Sequence, residues 1–248
     1  MILFVNGGTK TVYSITQHRE HVGILLSPSC GNSLDRTIAS GLPWACDNGA
    51  YSGFDPVAYR ALVAKCEGHQ RHGLRWITCP DVVGDHNGTM ALWDQWAMYL
   101  IRRRLPIAFV AQDGCNAGDV PWEHMQCLFI GGTTAWKLSQ EAVQLIALAK
   151  MKCYPVHVGR VNSRKRIRWC FDQGVTSVDG TSMSRFSETY LPSFASYIAG
   201  LKKQTTIPLP ISPRALLWPG SPTHRVPSLP SDATVQGDVS DTRRRSHE

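Results

Sequence analysis

Asp47, Asp81, Gln112 and Asp179 each follow closely on a short apolar run, within the segments CDNGAYSGFD, CPDVVGD, AQDGC and VDGTSMSR. Carboxyl groups so placed can give or take a proton or attack a carbon centre, and an amide can hydrogen-bond a flat polar ligand. Two further runs lead into IGGTTAWK, with Gly131 and Gly132, and HVGRVNSRKR, with His157, Val158, Gly159, Arg160, Arg164 and Lys165. Bare glycine backbone admits a ligand closely, and a basic cluster suits phosphate. Each piece also has a plainer reading. Asp47 and Asp81 fit turns or helix caps, and Asp179 before Gly-Thr-Ser fits a cap. Gly-Gly can simply end a strand, His157 in an apolar run can be a satisfied core histidine, and the arginines can be the polar face of a helix. Polar groups at six successive run ends carry more weight together than singly.

What must position them is an alternation of short apolar runs with helical patterns, the sequence form of a parallel sheet with crossover helices. The predicted strands are Ile2 to Val5, Val22 to Leu26, Trp44 to Cys46, Arg75 to Cys79, Ile107 to Ala111, Leu128 to Ile130, Pro155 to Val158 and Thr176 to Val178. The predicted helices include Pro56 to Gln70, Thr89 to Arg103, Ser139 to Lys152, Ser163 to Gln173 and Glu188 to Lys203, with apolar residues three and four apart. Eight strands are what a closed (β/α)8 TIM barrel of the α/β class needs, although a doubly wound open sheet uses the same alternation. In such a barrel the active groups sit at the C-terminal strand ends, where these polar residues fall. From about residue 205 the composition turns to Pro, Ser, Thr and Arg, including Arg243 to Arg245. That reads as one barrel domain over residues 1–204 with a disordered tail.

The 248 residues are 43% hydrophobic, enough to bury one large core. A net charge of +7 favours an acidic partner, nucleic acid being the commonest, although a membrane surface would also satisfy the balance. No run approaches the roughly 18 apolar residues of a membrane span, and the start MILFVNGGTK lacks the form of a secretory signal. The eight cysteines are scattered without a CxxC pair, which argues against a structural zinc site and for a reducing cytoplasm. No metal or cofactor is expected. A metallohydrolase on Asp81, Asp85, His86 and His157 is the weakest alternative, because their spacing matches no recognised ligand set.

The order of the motifs resembles the tRNA-guanine transglycosylase superfamily through about two thirds of the chain. Asp47-Asn48-Gly49-Ala50-Tyr51 is similar to the family's Asp-Ser-Gly-Gly-Phe/Tyr segment, which implies Asp47 as general acid/base and Tyr51 stacked on the base. The resemblance makes Asp81 and Gln112, in Pro80-Asp81 and Ala111-Gln112-Asp113-Gly114, readers of the guanine edge, with Gly131 and Gly132 lending backbone groups. His157-Val158-Gly159 is similar to the family's Leu-Met-Gly turn, which implies that Val158 packs on the other face of the base. Asp179 matches the nucleophilic aspartate, and Arg185 a phosphate-contacting arginine. Arg160, Arg164 and Lys165 would add to a basic rim.

The sequence departs from the family where tRNA-acting members carry a Cys-x-Cys-x-x-Cys and histidine zinc module, because SMSRFSETYLPSFASY contains no cysteine. Ala50 replaces the second glycine of the acid/base segment, and AQDG replaces Val-Gln-Gly-Gly. A compact, zinc-free barrel resembles the relatives that insert 7-deazaguanines into DNA in bacteriophages and bacterial modification islands. The resemblance thus implies DNA and a free preQ0-like base as partners, with a homodimer or partner protein left open. Three rivals stand beside it: a transglycosylase acting on tRNA, a barrel N-glycosidase with water as acceptor, and a non-catalytic barrel that binds nucleic acid.

Overall fold

The computed structural model describes residues 1–6, 10–30 and 33–206. Arg243 to Arg245 and nearly all of the expected tail lie outside them. Eight parallel strands close in chain order: β1 Ile2–Asn6, β2 Val22–Leu26, β3 Trp44–Cys46, β4 Leu74–Thr78, β5 Ile107–Ala111, β6 Cys127–Ile130, β7 Val156–Val158 and β8 Ser177–Asp179. Closure is made by β8 on β1, with Ile2, Leu3 and Phe4 opposite Ser177, Val178 and Asp179. The sheet has no free edge, so the (β/α)8 barrel holds and the open-sheet alternative falls.

The helices are α1 Lys10–Ser14, α2 Leu34–Ala39, α3 Pro56–Cys66, α4 His86–Ile101, α5 Thr134–Lys137, α6 Gln140–Met151, α7 Arg164–Asp172, α8 Thr181–Arg185 and α9 Ser187–Thr206. Side-chain caps set the starts of α2 through α7. Asp55 accepts from the amides of Val57 and Ala58, with Pro56 in the first turn, where its missing N–H costs nothing. Asp85 accepts from the Gly88 amide, so α4 begins three residues before the expected Thr89. Ser139 and Ser163 cap α6 and α7 in the same way. The expected helix to Gln70 stops at Cys66, because Glu67 is extended and Gly68 has a φ of 79°. No helix among the described residues is long and apolar enough to cross a membrane.

Strand periodicity divides the core in two. Side chains of one parity, including Leu3, Ile24, Ile77, Phe109, Leu128, Val156, Val158 and Val178, face the helices and form the larger cluster. Those of the other parity point inward. Phe4, Leu25, Ala45, Trp76, Ala108, Val110, Cys127 and Phe129 fill the barrel. Phe4 and Phe129 meet Trp76 edge-on at centroid distances of 5.6 and 5.7 Å. All eight cysteines are free thiols, and only Cys153, in the loop between α6 and β7, is exposed.

The filled interior leaves no room at Gly23, where a Cβ would lie 2.6 Å from the Phe4 ring and 2.9 Å from the Pro43 carbonyl oxygen. Gly23→Ala is expected to destabilise the barrel by about 1–3 kcal/mol, the usual cost of overpacking. Urea unfolding measures it, and an unchanged midpoint would mean that the interior has slack.

Candidate active site

A cavity of about 700 Å³ opens at the C-terminal ends of the strands, within the usual range for a small-molecule site. Its floor continues the inward parity of each strand. Two positions beyond Ala45, Val110, Phe129, His157 and Ser177 stand Asp47, Gln112, Gly131, Gly159 and Asp179, and all five line the cavity.

Asp179 ends β8 with both carboxylate oxygens engaged. Oδ2 lies 3.0 Å from Nε2 of His157, and Oδ1 accepts from the Arg160 amide at 2.9 Å. A carboxylate can only accept, so Nε2 of His157 carries the proton. The other ring nitrogen meets Ser177 Oγ at 2.9 Å, which fixes the imidazole. His157 is fully buried, 4.5 Å from the Phe129 ring centroid and 4.8 Å from that of Trp76. Burial alone would raise the Asp179 carboxyl. The His157 ring, the Arg160 amide and the Lys137 charge outweigh it and hold Asp179 below the ordinary carboxylate range.

Asp47 stands in the opposite condition. Burial, reinforced by the charges of Asp179 and Asp81, pushes it up to about 7, although the Asn48 and Gly49 amides pull part of that back. One cavity therefore holds a carboxylate kept ionised and a carboxyl poised to exchange a proton near neutral pH. Asp81 is raised by burial to about 6, against the pull of Asn48, Gln112 and Arg160. Asn48 Nδ2 donates to Asp81 Oδ1 at 2.6 Å, and Gln112 Nε2 donates to Oδ2 at 2.5 Å. The Gly84 amide donates to Gln112 Oε1 at 2.8 Å. Asp81 and Gln112 thus form one buried network.

The glycines are close-approach positions. At Gly131 a Cβ would fall 2.7 Å from Gln112 Nε2, and at Gly159 it would fall 2.9 Å from the Phe129 ring. Arg160 has a φ of 59°, strained for a non-glycine residue. Its amide serves Asp179, and its guanidinium donates to the Gly132 carbonyl at 2.6 Å and lies 4.6 Å from the Tyr51 ring centroid. Tyr51 is 70% exposed, at the mouth, and Arg185 lines the cavity from the end of α8.

Three expected residues are not brought there. Val158 has the outward parity and is 2% exposed in the shell beneath the helices, so it offers no face to a base in the cavity. Arg164 donates to Ser193 Oγ at 2.7 Å and lies near the Tyr197 ring, and Lys165 is exposed on α7. Neither lines the cavity. Two residues without an expected role contribute, Asn48, described above, and Lys137, and so does His157, weighed in the sequence only as a core histidine or a metal ligand. Lys137 Nζ donates to the Gly159 carbonyl at 2.8 Å, and burial, helped by Arg160, lowers it to about 8 against the pull of Asp179. For His157 the signal was available, because an inward strand position two residues before Gly159 has only the barrel interior to enter.

No protein-family model and no curated protein matches this sequence.

The raised Asp47 has a thermodynamic signature. Between its ordinary value near 4 and about 7, the folded chain holds a proton there that the unfolded chain has lost, so stability falls as pH rises through that window. Asp47→Asn removes the penalty while keeping an oxygen for the Asn48 amide, which donates to Oδ1 at 2.9 Å. The stability of the variant relative to the parent is expected to grow by on the order of 1–4 kcal/mol from about pH 4 to about pH 8. Denaturant unfolding at the two pH values measures this, and a pH-independent difference would make Asp47 an ordinary carboxylate.

Proposed function

We propose that this barrel is a transglycosylase that replaces a guanine in DNA with a free 7-deazaguanine through a covalent aspartyl-glycosyl intermediate. The observation that carries the reading is the opposed state of two carboxyls in one cavity, Asp179 held ionised and Asp47 raised to about 7. Breaking an N-glycosidic bond builds positive charge on the sugar, which a carboxylate stabilises and then captures. Asp179 attacks C1′, the C1′–N9 bond breaks, and its electron pair leaves with the guanine, which takes a proton from Asp47. The incoming base returns a proton to Asp47, and its N9 attacks C1′ and releases Asp179. Each exchange ends with the proton back on Asp47.

The rigid environment of Asp179 suits a nucleophile, because His157 and the Arg160 amide fix both oxygens before substrate arrives. Asp81 and Gln112, with the backbone at Gly131 and Gly132, offer donors and acceptors to the edge of a flat base. A mismatched base leaves such buried groups unpaired, at about 1–3 kcal/mol each. Tyr51 supplies a ring for stacking once the Arg160 guanidinium yields its face or packs against the base from the other side. A guanine reaches the cavity only when flipped out or single-stranded, at a cost of a few kcal/mol. Arg160 and Arg185 at the mouth, within a chain of net charge +7, provide phosphate contacts to offset it.

The test is incubation with guanine-containing DNA or tRNA and a 7-deazaguanine such as preQ0, followed by nucleoside mass spectrometry. A deazaguanine nucleoside in the DNA digest is expected. Signal only in tRNA would move the activity to RNA, guanine release without incorporation would mean a hydrolase, and no change in either polymer would sink the exchange reading. Asp179→Ala is expected to abolish exchange, and Asp47→Asn to slow it by about 10²–10⁴-fold, the usual contribution of a proton-transfer group. Full turnover in the Asp179 variant would remove it as nucleophile. Binding to DNA is expected to weaken steeply as salt is raised, and a flat response would discount the basic mouth.

A further inference from the structure

Three metal-binding side chains converge apart from the cavity lining. One ligand atom from each of His86, Cys115 and Asp119 lies within 4.8 Å of the other two. His86 opens α4, at the end of the loop that begins near Asp81, and Cys115 and Asp119 belong to the loop that leaves β5 through Gln112. The Gly84 amide bonded to Gln112 Oε1 already joins these two loops.

The distances suit an ion. His86 Nε2 lies 3.1 Å from Asp119 Oδ2, and a tetrahedral ion at ordinary zinc–nitrogen and zinc–oxygen lengths holds such a pair about 3.4 Å apart. An ion can therefore replace the proton shared by the pair with a shift of a few tenths of an ångström. The second ring nitrogen of His86 is buried with no hydrogen-bond partner among the described residues, so the ring is anchored at one nitrogen alone. A histidine–aspartate hydrogen bond alone would need nothing from a thiol. Cys115 is nonetheless 2% exposed beside the pair, its sulfur making only a long contact of 3.6 Å to the Asn116 carbonyl. The Asn116 amide donates to Asp119 Oδ2 at 3.1 Å and orients the carboxylate. With a third of its side chain exposed, Asp119 leaves the ion a route in and room for a water as fourth ligand.

Imidazole, thiolate and carboxylate together favour a borderline ion such as Zn²⁺ over Mg²⁺ or Ca²⁺, which prefer oxygen alone. We infer that His86, Cys115 and Asp119 bind one zinc-type transition-metal ion, which ties the loop carrying Asp81 to the loop carrying Gln112. The inference departs from the metal-free expectation drawn from the sequence, whose cysteine spacing gave no hint of a thiol contributed by a separate loop. It does not rest on the exchange activity.

Cobalt is the direct probe. The full chain, stripped with a chelator and titrated with Co²⁺, is expected to take up one equivalent with a sulfur-to-cobalt charge-transfer band and visible bands of tetrahedral intensity, all bleached by Zn²⁺. Cys115→Ala is expected to lose the charge-transfer band. Asp119→Asn, a conservative change at a partly exposed position, keeps the Asn116 contact and is expected to weaken cobalt binding at least tenfold with an unchanged circular dichroism spectrum. Absence of the band in the parent chain would overturn the site, as would its survival in Cys115→Ala, which would trace it to another thiol. Should Cys115→Ala fail to fold, unchanged cobalt affinity in Asp119→Asn decides against the site equally.

Discussion

Closing a parallel sheet on itself leaves each strand residue only two places to go: into the barrel or against the helices. A strand's side chains alternate between these fates with a period of two, and because the strands run in one direction, their inward positions converge at one end. At the lower levels the inward residues are Phe4, Leu25, Trp76, Val110 and Phe129, which pack the interior and exclude water. At the last level they are Asp47, Gln112, Gly131, Gly159 and Asp179, which no longer pack but ring a cavity. The apolar plug and the polar rim are one pattern read at two heights.

The electrostatics follow from that stacking. Groups at the rim rest on an aromatic floor of Trp76, Phe129 and His157, where charges are poorly solvated and every hydrogen bond counts for more. The fate of each carboxyl then depends on its partners. Asp179 has an imidazole N–H, a backbone amide and a nearby ammonium, and stays charged. Asp47 has two amides but faces two other carboxylates, and gives way. Arg160 links the parts, its amide on Asp179, its guanidinium on Gly132 and against Tyr51, and its left-handed backbone is held in place by those contacts.

The barrel was legible because its strands are short apolar runs bounded by polar punctuation. Every predicted strand lies within a residue or so of the observed one, as with Val22–Leu26 and Ile107–Ala111. Helix ends depended on caps such as Asp85 and were read less well. Helices as brief as Thr134–Lys137 and Thr181–Arg185 are too short to show a period at all. Within the site, the acids and glycines were recognisable from residue type and order. Val158 was placed by order along the chain without parity, which turns it toward the helices, and the same omission left His157 next to it read as a core histidine rather than as the partner of Asp179. Lys137 on α5, Asn48 and the convergence of Cys115 on His86 depend on separate segments meeting in space, which no spacing along one segment encodes. Arg164 and Lys165 are near the mouth in sequence, yet neither lines the cavity, and Arg164 is engaged with Ser193 on α9.

The thiols divide just as sharply by position. Cys153 alone is exposed, and it lies in a loop that enters a strand, whereas the cavity lies where the strands leave. The barrel thus carries a natural chemical handle on the face opposite its mouth. A fluorophore or a surface coupled there through sulfur would hold every molecule in the same orientation, with the cavity turned toward solution.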